Sequence, residues 1–195
     1  SIISFFKSLL FPAYINRFSK LTKIIGYRFN KTEYLEQAFT HRSVSSEPRE
    51  NYERLEFLGD AVIDIIISRE LMRYYPDGDE GLLTKKRSAL VQQSFLSKIG
   101  NMLNIMDYLI VEPNVDLENE KVVNKQQANL VEALIGALYL DGGIKPAKTV
   151  IINTIWKHRN EAWKTINYKG QLIEYCHAHG IKNPKFHLVN VSGPD

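Results

Sequence analysis

The chain has 195 residues and a formal net charge of +3 at pH 7, with 44% hydrophobic and 24% charged residues. These values are typical of a soluble globular protein with one ordinary domain and a small addition. The single cysteine, Cys176, excludes an internal disulfide and favours a reducing, cytoplasmic environment.

The first predicted element is an N-terminal helical extension over about residues 1–20. Its opening, SIISFFKSLLFPAYI, is apolar but is interrupted by Lys7 and Pro12. The segment is too short to span a membrane and lacks the small-residue cleavage site of a signal peptide. We therefore expect a packed amphipathic helix and no membrane association.

Hydrophobic periodicity predicts helices almost throughout, up to about residue 180. Glycine and proline residues separate them, for example at Pro48, the Pro76–Gly78 turn, Gly100 and Gly142–Gly143. The predicted helices lie near residues 2–10, 13–24, 31–39, 51–74, 80–99, 101–106, 120–140, 144–166 and 168–179.

The segment Asn51–Asp64, NYERLEFLGDAVID, predicts an amphipathic helix with an acidic stripe. At 100° per residue, Glu53, Glu56 and Asp60 fall within about 60° of one another. Carboxylates about 5 Å apart repel by on the order of 3 kcal/mol at an effective dielectric constant near 20. Arg54 points about 100° away from Glu53 and leaves the stripe uncompensated. The pattern favours a divalent cation held by oxygen ligands, with an apolar face of Leu55, Leu58, Val62, Ile65 and Ile66.

A second acidic position lies in the predicted helix Ala128–Leu140, ANLVEALIGALYL. Asn129, Glu132 and Gly136 share one face of it within about 60°. Glu132 is either a buried carboxylate that a distant Arg or Tyr satisfies, or part of an oxygen-lined site between packed helices. With both acidic helices present, the metal site is the stronger interpretation. Gly59 and Gly136 each cost about 1 kcal/mol relative to alanine in a helix, and close helix approach beside the site is a plausible gain.

Charge is segregated along the chain. Residues 1–32 carry +6, residues 33–120 carry −8 and residues 121–195 carry +5. An acidic centre between basic arms fits a metal site within a surface that binds a polyanion.

After Ala162 the composition changes. A helix at 168–179 precedes Pro184 and an alternating segment, Lys185–Val191, with strand character. Because a lone strand cannot stand unpaired, we expect a small second domain that begins near Asn167 and continues past the last residue.

The segment NYERLEFLGDAVID closely resembles the signature of the ribonuclease III family. Further segments resemble the same family in the same order: HRS at 41–43, DEGLLTKKRSALV at 79–91 and VEALIGALYLDGG at 131–143. The tail, from NYKGQLIEY to NPKFHLVNVSGPD, is similar to the first helix and first strand of a double-stranded-RNA-binding domain. The resemblance implies an all-α, ribonuclease III-type helical endonuclease domain over residues 1–166 and an incomplete α/β double-stranded-RNA-binding domain over residues 167–195.

The resemblance also implies a Mg²⁺-dependent endoribonuclease that acts as a homodimer on double-stranded RNA. Mn²⁺ can replace Mg²⁺, no organic cofactor is expected, and the products carry 5′-phosphate and 3′-hydroxyl ends. Phe57 matches an aromatic residue that inserts into the partner subunit. The matching catalytic positions are Glu53, Glu56, Asp60, Glu80, Asn129 and Glu132, with Glu56, Asp60, Asn129 and Glu132 as metal ligands. The expected RNA-binding residues of the tail are Lys169, Glu174, Gly193 and Pro194.

The chain departs from the family pattern at two positions. Asn129 stands where the family usually has aspartate, and Ile173 stands where a glutamine commonly faces the RNA. Asn129 removes one negative charge, so we expect cation affinity to fall. An active natural variant, an engineered change that traps substrate and an inactive relative are the three explanations. A non-cleaving RNA-binding or scaffold protein is the alternative function.

Other polar residues favour structural roles. His41 is expected to make hydrogen bonds in a loop beside the acidic helices, and Asp64 to form a surface salt bridge. Trp156 and Trp163, seven residues apart, favour packing. The run Lys85–Arg87 fits either phosphate binding or a solvated helical turn. A metallohydrolase with His–Asp ligands is disfavoured because no histidine lies in either acidic helix.

Overall fold

The computed structural model describes residues 17–164, 168–182 and 184–185. The chain divides into two compact units, Ser1–Trp163 and Lys164–Asp195. A 3₁₀ helix spans Ile105–Tyr108 and a π-helical turn spans Ile152–Trp156. The described α-helices are α1 (Ser19–Ile25), α2 (Thr32–Ala38), α3 (Glu53–Tyr74), α4 (Glu80–Val91), α5 (Gln93–Met102), α6 (Glu120–Gly142), α7 (Ile144–Ile151), α8 (Arg159–Lys164) and α9 (Tyr168–Ala178).

No β-sheet forms within the described residues, which confirms the all-α expectation for the first unit. One parallel bridge joins two loops: Ile110 N donates to Phe39 O at 2.7 Å, and His41 N donates to Ile110 O at 2.8 Å. The predicted helix at 2–10 lies outside the described residues, as does most of the predicted strand Lys185–Val191. The RNA-binding domain therefore stays a prediction.

None of the helices in the described ranges combines the length and apolar character that crossing a membrane requires.

The two long helices, α3 and α6, form the centre of the first unit. α6 packs along α3 and also contacts α2, α5 and α7. Neighbours on several sides explain why α6 is apolar around most of its circumference, whereas α3 buries a single stripe. The buried residues of that stripe include Leu55, Val62, Ile63, Ile66, Ile67 and Leu71.

The backbones of α3 and α6 touch where Gly59 meets Gly136. A Cβ added to Gly59 would overlap the carbonyl oxygen of Glu132, and one added to Gly136 would overlap the carbonyl oxygen of Leu55. Only glycine permits this crossing, because no side-chain atom fits between the two backbones. The predicted close approach is confirmed, and it places the Glu132 backbone against α3 beside Asp60.

The predicted helix at 80–99 is wrong, because the structure has two helices there. Gln92 adopts an extended backbone with ψ of 145°, which ends α4 at Val91 and begins α5 at Gln93. The change of direction allows α5 to bury Phe95, Leu96 and Ile99.

The sequence predicts a helix break at Gly100. This prediction is wrong, because Gly100 lies inside α5. A Cβ at this position would lie 3.0 Å from the carbonyl oxygen of Gln127, so the glycine serves the approach of α5 to α6. The break comes later, at Asn104, which has a positive φ of 49°. The helix predicted at 101–106 is consequently replaced by the 3₁₀ helix.

The helix predicted at 144–166 is interrupted by the π-helical turn. Lys157 N donates to Ile152 O at 3.0 Å, five residues earlier. The wider turn rotates the residues that follow it. Trp156 and Trp163 then pack edge to face with ring centroids 6.1 Å apart, which confirms their packing role.

The sequence predicts Ile65 on the apolar face of the first acidic helix. In α3 this residue lies off the buried face and is 66% exposed. At 100° per residue it points away from the stripe centred on Gly59 that α6 covers. Phe57 lies on the same outer side and is 81% exposed.

Replacing Gly59 with alanine should destabilise the protein by about 1–3 kcal/mol or more, because α3 and α6 must separate to admit the methyl group. Urea unfolding followed by circular dichroism measures the change. Gly81→Ala is the matched control, since a Cβ there meets only Asp79 Oδ1 at 3.6 Å. Equal stability of the two variants would contradict the role of the glycine crossing.

Candidate active site

A cleft of about 920 Å³ lies where α3 and α6 run side by side. Helix α3 contributes Glu53, Glu56 and Asp60 to its walls, and α6 contributes Asn129 and Glu132. Five of the six predicted catalytic residues therefore line one cleft, although about seventy residues separate the two helices in the chain. The glycine crossing is the reason, because it fixes the register of α6 on α3 close to the acidic residues of both helices.

Glu80, the sixth predicted residue, does not line this cleft. It is exposed in the first turn of α4, where its Oε1 accepts a hydrogen bond from Thr84 Oγ1 at 3.0 Å. Its predicted catalytic role stays a prediction.

The carboxyl groups of the cleft repel one another. Burial, followed by the charges of Asp60, Glu56 and Asp64, raises the pKa of Glu132 to about 8. Burial and the Glu53 charge raise the pKa of Glu56. Burial and the Asp64 charge likewise raise the pKa of Asp60. The protein thus holds negative oxygens together without supplying enough positive charge to neutralise them.

The donor set fits a hydrated magnesium ion. Carboxylates and an amide carbonyl are hard oxygen ligands, and Mg²⁺ keeps several of its own waters when it binds protein. Among the described residues, no group of three or more His, Cys, Asp or Glu side chains is arranged to hold a metal by itself. The fit therefore depends on water and the Asn129 oxygen as well as on the carboxylates.

Basic side chains that are not among the predicted site residues border the cleft. Arg42 Nη1 lies 3.7 Å from Glu53 Oε1 at the exposed rim. Lys121 and Lys125 line the α6 side, and the Lys125 charge opposes the rise in the pKa of Glu56. Lys125 lies four residues before Asn129, so helical periodicity could have placed it on the same face.

Tyr52 and Gln126 also line the cleft and are not among the predicted site residues. They are only 5% and 6% exposed, and the Tyr52 hydroxyl donates to Gln126 Oε1 at 3.3 Å. Burial raises the pKa of Tyr52, and hydrogen bonds with the Gln126 and Asn129 side chains oppose that rise. A hydrogen bond therefore joins the residue that precedes α3 to a side chain of α6.

His41 has the structural role that the sequence predicts. Its Nδ1 accepts a hydrogen bond from Ser43 N at 3.0 Å and lies 2.9 Å from Ser43 Oγ. Its ring lines the cleft and lies 5.8 Å from the ring of Tyr52. These contacts stabilise the loop beside the acidic helices.

The basic run in α4 is engaged with protein groups. Lys86 Nζ lies 4.4 Å over the Trp163 ring. Arg87 Nη1 donates to Ser68 Oγ at 2.9 Å, and its Nε lies 3.9 Å from Asp64 Oδ1, which confirms the expected Asp64 salt bridge. These contacts favour a structural role for Lys86 and Arg87.

The predicted RNA-binding residues belong to the second unit. Lys169 and Glu174 fall on α9, whereas Gly193 and Pro194 lie outside the described residues. Their role stays a prediction.

The stability of the metal-free protein should fall as pH rises from about 4.5 to about 8, because folding holds a proton on Glu132 that the unfolded chain releases. Glu132→Gln removes this loss, so the difference in Tm between variant and parent should grow from pH 5 to pH 8. Thermal unfolding in EDTA measures it, with Glu33→Gln as the control. A difference independent of pH would contradict the coupling of the carboxyl groups.

Comparison with known proteins agrees with this geometry. The family model described as Ribonuclease-III-like matches residues 31–159. Ribonuclease 3 of Anaplasma phagocytophilum is 40% identical over 177 residues, which cover 89% of this chain and 75% of the relative. Ribonuclease 3 of Leptospira interrogans (strain 56601) is 36% identical over 190 residues, covering 94% of this chain and 77% of the relative.

Solved structures show the same fold. The nuclease domain of ribonuclease III from Campylobacter jejuni matches with a TM-score of 0.66 and 35% identity, over 72% of this chain and 96% of that domain. That structure is described in terms of flexibility in a region involved in dimer formation. The chain therefore belongs to the ribonuclease III family and is an RNA-processing endoribonuclease.

Proposed function

We propose that the protein cleaves double-stranded RNA in a Mg²⁺-dependent reaction that leaves 5′-phosphate and 3′-hydroxyl ends. The observation that carries this proposal is the meeting of Glu56 and Asp60 from α3 with Asn129 and Glu132 from α6 in one cleft. The mutual elevation of the carboxyl pKa values supports it, since such a cluster favours a cation.

Glu56, Asp60, Asn129 and Glu132 would hold the magnesium. When bound, Mg²⁺ supplies Lewis-acid activation of water and stabilises charge at the leaving oxygen. Glu132 must give up its proton before it can serve as a ligand, because its pKa is raised to about 8 without metal. Glu53 remains exposed at the rim, held by Arg42.

Substrate attraction is assigned to the basic border of the cleft. Lys121, Lys125 and Arg42 can contact phosphate oxygens on the strand that approaches the carboxylates. Recognition by phosphates and 2′-hydroxyls reads the A-form shape of the duplex rather than its base sequence. Cleavage and binding should consequently weaken with salt. The second unit would provide further contacts with the RNA through Lys169, Glu174, Gly193 and Pro194.

The proposed assembly is a homodimer, as the family resemblance and the dimer-forming region described for the Campylobacter jejuni domain support. Phe57 is a large apolar side chain that is 81% exposed. It borders a groove also lined by Pro48, Leu58 and Leu140, which can receive the same residue of a second copy. An isologous contact of this kind repeats itself across a two-fold axis.

Incubation of the protein with long duplex RNA should give short products with Mg²⁺ and none with EDTA. Glu132→Ala should lower the rate by at least about 100-fold, as removal of a group that organises transition-state charge does. Glu33→Ala, a change in an exposed residue of α2, is the control. End-labelling by polynucleotide kinase should require prior phosphatase treatment, because the 5′ ends carry phosphate.

The alternative function is non-cleaving RNA binding, and Asn129 is the observation that favours it. It predicts retention of duplex RNA by the parent protein without Mg²⁺-dependent shortening. That result would contradict the nuclease proposal for this chain.

Phe57→Ala should raise the dimer dissociation constant by about 30-fold, the effect of removing a buried aromatic hot spot worth about 2 kcal/mol. Sedimentation velocity at micromolar concentration measures the change. Ile24→Ala, which truncates another exposed apolar residue on α1, should leave the profile unaltered. An unchanged profile for the Phe57 variant would remove this residue from the interface.

A further inference from the structure

A second groove, the α1–α2 groove, is formed by α1, α2 and the loop between them. It has a volume of about 660 Å³ and shares no lining residue with the acidic cleft. The aromatic residues Phe18, Tyr27 and Phe29 line it, and Lys23 and Arg28 add two cations. The groove therefore combines an apolar surface with positive charge.

The cations at the groove outnumber the carboxylates. Lys20, Lys23 and Arg28 are exposed and form no salt bridge with any other residue in the described ranges. Lys20 lies one turn before Lys23 on α1, so the two side chains point to the same side of the helix. Among the described lining residues Glu36 is the only acidic one, and it is half-buried. The rim of the groove is consequently a positive surface that attracts anions.

Hydrogen bonds to the end of α6 hold the loop between α1 and α2 in place. Asp141 Oδ2 accepts from the Tyr27 hydroxyl and from Asn30 N, and Asp141 Oδ1 accepts from Lys31 N, each at 2.8 Å. The Tyr27 and Phe29 rings pack edge to face with centroids 5.2 Å apart. The aromatic side of the groove is thus formed before a ligand arrives, which lowers the entropic cost of binding.

The chemistry of the groove selects unpaired RNA as its ligand. The chain is an RNA-processing endoribonuclease, so RNA is the polyanion that it handles. In an A-form duplex the faces of the bases are stacked on one another and cannot enter a groove. Unpaired bases instead stack on aromatic side chains, while Lys and Arg contact the adjacent phosphates. An aromatic groove with a cationic rim matches this second arrangement.

We propose that the α1–α2 groove binds single-stranded RNA, with bases on the aromatic side formed by Tyr27 and Phe29 and phosphates at Lys23 and Arg28. The site goes beyond the proposed cleavage of duplex RNA, because its ligand is an unpaired strand such as one that flanks a duplex. It holds RNA at a second place and takes no part in the hydrolysis. Binding requires no metal, since the phosphates contact Lys and Arg directly.

Fluorescence anisotropy tests the proposal with the full chain in EDTA and a labelled oligouridine of about 12 nucleotides. Lys23→Ala and Arg28→Ala should each weaken binding and lower the slope of log K against log salt by about 0.7, the value for one phosphate contact on a single strand. Lys145→Ala removes an exposed cation of α7 outside the groove. This matched control should leave the slope unchanged.

Binding of bases is tested with an oligomer of the same length that carries abasic sugars. The parent should bind it at least about fivefold more weakly than oligouridine, as loss of a base–aromatic stack does. Thr22→Trp fills the groove and should reduce this difference to less than about twofold. A blunt RNA duplex should bind the parent and the Lys23 variant equally. Thermal unfolding checks each variant, and the two alanine variants keep the test valid if Thr22→Trp does not fold.

Unchanged salt slopes in the Lys23 and Arg28 variants, or an equal loss in Lys145→Ala, would overturn the inference. Equal affinity of the parent for the two oligomers would overturn it as well, and so would a loss of duplex binding as large as the loss of oligouridine binding. Reduced binding of the variants to phosphatidylserine vesicles, with RNA binding unaltered, would assign the groove to an anionic membrane surface instead. Duplex cleavage with Mg²⁺ is scored separately, so failure of the nuclease proposal is distinguishable from failure of this site.

Discussion

The contact between the α3 and α6 backbones at Gly59 and Gly136 is the constraint on which the site depends. Two helices normally stand about 8–10 Å apart, with side chains between them. Here the absence of two Cβ atoms brings the backbones together. The acidic residues near the crossing point on each helix consequently face the same cleft. The two glycines lower the helix propensity of α3 and α6. The fixed alignment of the two helices, which side-chain packing alone does not determine, offsets that cost.

That closeness creates an electrostatic tension within the apo protein. Glu132 is partly buried beside Asp60 and Glu56, and its pKa rises to about 8. Lys125 and Arg42 offset only part of the negative charge. Folding energy from the buried stripes of α3 and α6 holds the carboxyl groups together against their repulsion. A site of this kind gains stability from a cation, so metal binding and the stability of the helix pair are linked.

Asn129 changes the balance in that cleft. One negative charge fewer reduces repulsion among the carboxyl groups and also reduces attraction for a cation. The buried hydrogen bond between Tyr52 and Gln126 adds neutral polar groups to the same cleft.

Local patterns in the residues were enough to predict the helical class, the acidic faces around Glu56 and Glu132, and the position of Phe57 outside the core. Each follows from periodicity along one helix and from the chemistry of one side-chain type. Packing between helices determined where α4 gives way to α5 and why Gly100 continues a helix. It also turned Ile65 outward, since burial depends on which face another helix covers. The pairing of Tyr52 with Gln126 and the separation of Glu80 from the cleft arise between elements distant in the chain. Periodicity carries no information about such contacts, because the crossing of two backbones sets them.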